Sequence, residues 1–333
     1  DDRYRGLDLV WDQEDGDHVL ASLWMDRGNA TYRIGRADLT IGRQAVTFGN
    51  AFFWNPLDVF LPFNPRQFDQ EFKPGVDGGR LDIAFGAFSG ATLVGVAGPT
   101  ASGFGDGARG RDGFADASWF GSAVLARAFT AYRGWHLALQ GGKVYGGYQA
   151  GAGATGEIGP LELRMEMAYL FADDSPSLIK GPAVPPYADG EDLVESGATV
   201  VVGTGRRFEN SLTLEFEYFY NGLGDADDLE SSLLRFANGD TLTLGNHFGG
   251  FLASYEISPL LVGSVPAIVS FDDGSFQLLP KLVWSLADEV DLHVGAVLNF
   301  GERPDSAGVL DPGLQSEFGT FPNSFYVQPR WAF

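Results

Sequence analysis

The stretch that decides the fold is Ser324 to Phe333, SFYVQPRWAF. Counting back by twos, Phe333, Trp331, Pro329, Val327 and Phe325 fall on one face, and Ala332, Arg330, Gln328 and Tyr326 on the other. Side chains of an extended chain alternate between faces, so a period of two reads as a β-strand with one apolar side. An amphipathic edge strand in a soluble β protein gives the same local pattern. The rest of the chain has to separate the two.

Composition narrows the field. The chain has 333 residues, with 46 glycines, 14% aromatic residues, no cysteine and a formal net charge of −22. Such a content of glycine and aromatics does not suit a helical protein. Without cysteine there are no disulfides, thiolate metal sites or C-x-x-C-H haem attachments in this chain, and no cofactor is expected. The acidic balance argues against nucleic acid as a partner. No run approaches the roughly eighteen apolar residues of a membrane helix. A membrane-spanning form must therefore be a closed barrel, the other architecture that satisfies every backbone group in lipid. The first residues, Asp1-Asp2-Arg3-Tyr4, lack the basic start and apolar core of a secretory signal, so the numbering is taken to begin after processing or truncation.

Strands of about ten alternating residues recur along the chain. The cleanest are Leu161 to Phe171, where Leu161, Leu163, Met165, Met167 and Tyr169 alternate with Glu162, Arg164 and Glu166, and Ser211 to Asn221, where Leu212, Leu214, Phe216, Tyr218 and Tyr220 alternate with Thr213, Glu215 and Glu217. Tyr4 to Asp12 reads as the first strand, a turn is expected near Gly35 with Asp26-Arg27-Gly28-Asn29 as the alternative turn, and Ser275 to Ser285 reads as one strand. Asp228 to Phe236 is compatible with a short helix. The count is about sixteen. Long connections begin near Ala45, Pro99, Ala172, Gly222 and Gly301, all on one side of this up-and-down order. A soluble β protein has no reason to sort its loops in that way, and no blade repeat of about 40 residues points to a propeller.

A chain whose last strand ends on an apolar-face aromatic resembles the bacterial outer-membrane β-barrels. The resemblance implies an all-β transmembrane antiparallel barrel of about 16 strands, with short periplasmic turns and long extracellular loops, as a single domain over residues 1–333. It also implies that Phe333, with Trp331, is the signal read by the barrel-assembly machinery. Multi-pass insertion in the outer membrane, among lipid and lipopolysaccharide, follows from it.

If the apolar faces meet lipid, the opposite faces line a lumen. Arg43, Arg80, Asp82, Glu162, Arg164, Glu166, Glu215, Glu217 and Lys281 are the wall candidates, joined by Asp8, Asp12, Asp291 and His293. More acid than base implies a cation-favouring or bipolar lumen. Glu162, Arg164 and Glu166 are also spaced as an ion-pair ladder that would stiffen the wall.

Residues 45–78 break the alternation with prolines and aromatics and read as an ordered loop. Gly42-Arg43-Gln44, Asn55-Pro56-Leu57-Asp58, Leu61-Pro62-Phe63-Asn64-Pro65 and Lys73-Pro74-Gly75-Val76-Asp77 are similar to a pattern in porin-like outer-membrane proteins, distantly of the alginate-export type. The loop is expected to fold inward as a constriction, with Asn55, Asp58, Asn64, Arg66, Asp69, Glu71, Lys73 and Asp77 at the narrow point; a cap over the rim is the alternative.

The four histidines lie on different strands without ligand spacing, no nucleophile elbow or phosphate loop is present, and no metal site or enzymatic role is expected. A porin-like channel for small polar solutes or ions is the leading reading. The alternative is a barrel sheathing a partner, such as a multihaem cytochrome that would bring its own haem.

Overall fold

The computed structural model describes residues 4–5, 7, 9–15, 19–61, 73–98, 117–173, 195–237, 241–305 and 313–331. A hairpin of β1 (Val10–Asp15) and β2 (Val19–Trp24) stands as its own two-stranded sheet. The main sheet begins with β3 (Gly28–Ile34), β4 (Ala37–Gln44), β5 (Val76–Ala84), β6 (Ser89–Val96), β7 (Ala123–Tyr132) and β8 (Trp135–Val144). It continues through β9 (Gly147–Ile158), β10 (Leu161–Ala172), β11 (Gly197–Arg207), β12 (Leu212–Asn221), β13 (His247–Ser258) and β14 (Leu261–Ser270). It ends with β15 (Phe276–Leu278), β16 (Lys281–Ala287), β17 (Val290–Phe300) and β18 (Ser324–Trp331). These sixteen strands form one sheet, and among the described residues its pairings are antiparallel.

Three local departures from the sequence reading have physical causes. Ser275 to Ser285 is two strands, because Pro280 has no N–H to give to the ladder; β15 and β16 share one position between β14 and β17. The strand expected from Tyr4 instead starts at Val10. Tyr4 adopts φ +63° and turns its ring into a buried cluster with Phe60, Val96 and Leu125. The turn near Gly35 is present, with that glycine at φ +61°, but residues 25–27 interrupt the preceding strand. The helix forms as α1 (Leu229–Ala237), with the Asp228 carboxylate accepting the Ser231 amide at its start.

The two faces of the sheet are chemically opposite. Along β10, Met165, Met167, Tyr169 and Phe171 are exposed, with Met167 at 58%, whereas Arg164 and Ala168 are buried and Glu166 is 2% exposed. On β12, Phe216 is exposed while Glu217 is completely buried. Leu139 on β8 is 67% exposed and Phe325 on β18 is 80%. Apolar outside and charged inside inverts the order of a water-soluble protein and suits a barrel wall in lipid. Long connections over 45–75, 97–122, 173–196, 222–246 and 301–323 leave from one end, and the opposite end carries the short turns at 35–36, 133–134, 159–160 and 259–260.

Among the described residues, a cation sits on the outer face near the long-loop end. Lys143 of β8 is buried, donating to the Val144 carbonyl at 2.6 Å and the Phe120 carbonyl at 3.3 Å. The rings of Trp119, Phe120 and Tyr148 surround its ammonium at 5.8 to 5.9 Å. Cation–π attraction and hydrogen bonds together make this position tolerable.

The facing assignment is testable by substitution. Phe216→Arg should lower stability by about 2–4 kcal/mol, while Glu162→Lys, on the water side of β10, should change it by less than about 1 kcal/mol. Reversible denaturant titration in lipid vesicles measures both, and equal costs would show the faces to be assigned wrongly.

Candidate functional site

The Pro-rich connection after β4 turns back along the charged face of the sheet. Its prolines cannot donate hydrogen bonds and its other backbone groups have no strand partner, so the wall has to supply them. The wall does so with side chains. Glu166 accepts the amides of Asn50 and, at 3.3 Å, Leu57; Glu217 accepts those of Phe52 and, at 2.7 Å, Phe53. In the other polarity, the Gln140 amide donates to the Leu57 carbonyl at 2.8 Å and to Gln149 at 2.8 Å, and Gln149 donates to the Pro56 carbonyl at 3.2 Å. Asn55-Pro56-Leu57-Asp58 closes as a tight turn, with the Asp58 amide on the Asn55 carbonyl at 2.9 Å and proline in its favoured second place.

Apolar contacts fix the loop in register. A Cβ built on Gly151 or Gly153 would come within 2.5 or 2.9 Å of Leu57, and one on Gly250 within 2.5 Å of Phe53. These wall glycines are seats into which the loop's side chains fit. Trp54 is fully buried and stacks on Phe219 of β12 at 5.0 Å and 11°. Contacts from one loop to β8, β9, β10, β12 and β13 require the sheet to curve around it.

Other long loops add to the filling. Glu317 accepts the Leu244 amide at 3.0 Å and the Gly245 amide at 2.9 Å, and Phe318 joins the cluster of Phe53, Trp54, Phe219 and Phe248.

The charges fall into pairs. Asp58 and Lys73, expected at a wet narrow point, are both buried and bonded to each other. Burial raises the Asp58 carboxyl above its usual range and lowers the Lys73 ammonium, while their mutual attraction opposes both shifts. Asp77 is likewise withdrawn from water, held by Arg43 through two bonds of 2.7 Å. Arg43 in turn donates to the carbonyls of Leu7 at 2.7 Å and Met25 at 2.9 Å, so it anchors the N-terminal segment rather than facing a water path. A buried charge in a medium of low dielectric must be paired, which is why these residues meet each other. Asn55 is half-buried, and Asn64, Arg66, Asp69 and Glu71 lie outside the described residues.

The ladder expected on β10 forms in altered connectivity. Arg164 pairs across strands with Glu215, stands 3.5 Å from Glu162 and 3.9 Å from Glu217, and leaves Glu166 to the loop. Arg80 pairs with Asp82 at 2.8 Å, and Thr92 donates to Asp82 at 2.6 Å. Lys281 of β16 stands opposite Gly295 of β17, the buried His293 opposite Val283, and Asp291 opposite Ser285, so the three share one face of the ladder. Asp8 and the side chain of Asp12 lie outside the described residues. Basic groups gather on the other side of the lumen, where Arg80, Arg127 and His136 line a cavity of about 270 Å3 with Thr47 and Asn50 of the loop. Sequence reasoning missed Arg127, Gln140, Gln149 and Glu317. Arg127 and Gln140 occupy inward positions of their strands, so strict alternation from Leu125 and Ala138 would have found both.

No family model and no curated protein matches the chain. Among solved structures, Pseudomonas aeruginosa OccK11 (OpdR) superposes with a TM-score of 0.53 at 13% identity, over 85% of this chain and 79% of that one. OccK3 (OpdO) of the same organism superposes with a TM-score of 0.52 at 11% identity, over 94% and 84%. OccK10 (OpdN) gives 0.52 at 11%, over 88% and 87%. These neighbours are outer-membrane porins. The chain has the outer-membrane porin fold. In this fold the apolar face is the outer one and the face holding the loop is the inner one.

Glu166 and Glu217 should be the clasps of the loop. In Glu166→Gln/Glu217→Gln, each amide retains one acceptor and turns donors toward backbone N–H groups, at a cost of about 1–3 kcal/mol per lost charge-assisted bond. Hydrogen exchange should speed up at Asn50, Phe52, Phe53 and Leu57 while the β10 and β12 ladder amides keep their protection. Unchanged exchange at the four loop amides would refute the assignment.

Proposed function

We propose that this barrel is a diffusion channel for small polar solutes and ions, and that the inward segment 46–61 sets its narrowest point. The observation that carries the reading is a lumen wall of opposed charge, interrupted by a loop clasped across it. Glu162 and Glu215 stand on the β10–β12 side, and Arg80 and Arg127 on the β5–β7 side. Such a bipolar lumen orients dipolar solutes and excludes apolar ones, because the charges act over less than the Debye length of about 8–10 Å. A sheath around a protein partner is disfavoured, since the chain's own loops occupy the interior. No chemical step is assigned to the wall. Trp331, exposed on the outer face, and Phe333, outside the described residues, are proposed as the signal for the assembly machinery.

The constriction is tested in planar bilayers. Replacing residues 46–61 by a Gly-Ser linker, together with Lys73→Gln so that no ammonium is left buried without Asp58, should raise single-channel conductance several-fold. Conductance equal to that of the intact barrel would make the segment a rim cap; no conductance from either form would sink the channel reading. Asp58→Asn/Lys73→Gln alone should leave ion selectivity unchanged, because the pair is buried and neutral overall. Glu162→Gln/Glu215→Gln should lower cation preference, since Arg164 is then left with less acid beside it. Reversal potentials in a salt gradient measure both, and a selectivity that follows Asp58 rather than Glu162 would overturn the assignment of the charged wall.

A further inference from the structure

β11 carries two glycines on its inner face where the neighbouring strands carry charge. The register sets Gly205 directly between Glu162 of β10 and Glu215 of β12, and Gly203 between Arg164 and Glu217. Strands two places apart in a sheet are about 9.5 Å from each other. An ion pair from β12 to β10 must therefore cross β11, and a side chain on the inner face of that strand would stand in its way. Arg164 and Glu215 nevertheless meet, with 7% and 11% of their side chains exposed. They can do so because Glu215 lies flat over Gly205: a Cβ built on that glycine would fall onto Oε2 and Cδ of Glu215 and within 2.5 Å of Oε1. A glycine inside a strand weakens it, and often marks a place where another group must come close.

We propose that Gly205 is a specificity-determining residue of the channel: its missing side chain keeps Glu215 folded down onto Arg164 and out of the solute path. The inference deepens the channel reading and rests on it. Glu217, the next inward residue of β12 and about 7 Å along the strand, accepts the loop amides of Phe52 and Phe53. Glu215 therefore lies immediately below the narrow segment, on the short-turn side. What a solute meets there is Glu162, at 49% side-chain exposure, and not a row of two carboxylates. With a side chain at position 205, Glu215 would have to lift off into the lumen, while Arg164 stays buried with Glu162 at 3.5 Å and Glu217 at 3.9 Å. A second carboxylate in the stream would act on passing ions from within the Debye length of about 8–10 Å. The three heavy atoms nearest to a methyl group at position 205 all belong to the end of the Glu215 side chain, so alanine should displace that carboxylate without disturbing the ladder.

Carboxyl footprinting with a water-soluble carbodiimide and an amine, read by mass spectrometry on the purified full chain in detergent micelles, reports where Glu215 stands. In the parent protein Glu162 should be modified and Glu215 protected; in Gly205→Ala, labelling of Glu215 should rise several-fold. On the same preparations, reversal potentials in planar bilayers should show the cation-to-anion permeability ratio of Gly205→Ala raised by about twofold. In a Glu215→Ala background Gly205→Ala should change nothing, since the side chain through which it acts is gone. Gly79→Ala on β5, where an added Cβ meets nothing within 4 Å, measures the general effect of replacing a strand glycine and should leave the ratio as it is. If Gly205→Ala does not assemble, as judged by heat-modifiable gel mobility, Glu215→Asp carries the test: one methylene shorter, it falls short of Arg164 and should likewise be labelled faster and raise the ratio. Unchanged labelling at position 215, an unchanged ratio, a shift that persists without Glu215, or an equal shift in Gly79→Ala overturns the proposal. Faster labelling with no conductance from parent or variant refutes the channel reading and leaves the folded-down position of Glu215 standing.

Discussion

Two wall carboxylates accepting the backbone amides of one loop are the interaction on which the interior depends. A proline-rich segment inside a barrel cannot satisfy itself, and its donors would be costly if left bare. Glu166 and Glu217 take the amides, while Gln140 and Gln149 take the carbonyls. Their polarity is matched to the loop, so the same four side chains could not hold it in reverse. The rest of the lumen follows. Arg164 turns to Glu215 because Glu166 is engaged, and the apolar cluster of Trp54, Phe219, Phe248 and Phe318 closes over the clasps.

Burial of this machinery divides the lumen's charges into two kinds. Asp58, Lys73, Arg43 and Asp77 are structural pairs whose fields cancel at short range. Glu162, at 49% side-chain exposure, and Arg80, at 31%, retain contact with water and can act on a passing solute. Charges of the first kind hold the shape of the path, and those of the second give it a sign.

Much of the wall was legible because alternation is a strong signal. On β10 and β12 a period of two names the face of every residue, and its repetition along strand after strand, with the long loops all on one side, suits a barrel. The breaks were less legible. Pro280 could have been read as an interruption from its missing N–H, and the gap at residues 25–27 is marked by the turn-forming run Asp26-Arg27-Gly28-Asn29. In the loop there is no period at all, so its inward course could be argued from its apolar content while the fate of its charges could not. Asp58 and Lys73 are fifteen residues apart, and nothing in the sequence says that they meet. The glycine seats were equally silent: Gly151, Gly153 and Gly250 look like ordinary strand glycines until Leu57 and Phe53 are laid on them.

In a bilayer, Lys143 and its three aromatic rings would favour the headgroup boundary. An ammonium on the outward face cannot sink into hydrocarbon without losing its carbonyl partners' company with water, and Trp and Tyr rings settle at the headgroup boundary. Trp119 and Tyr148 therefore mark a waterline on the long-loop side. A bilayer thinner or thicker than the apolar band must deform to meet that line rather than move it. In a bilayer this cage would resist vertical displacement of its end of the wall, independently of anything that passes through the middle.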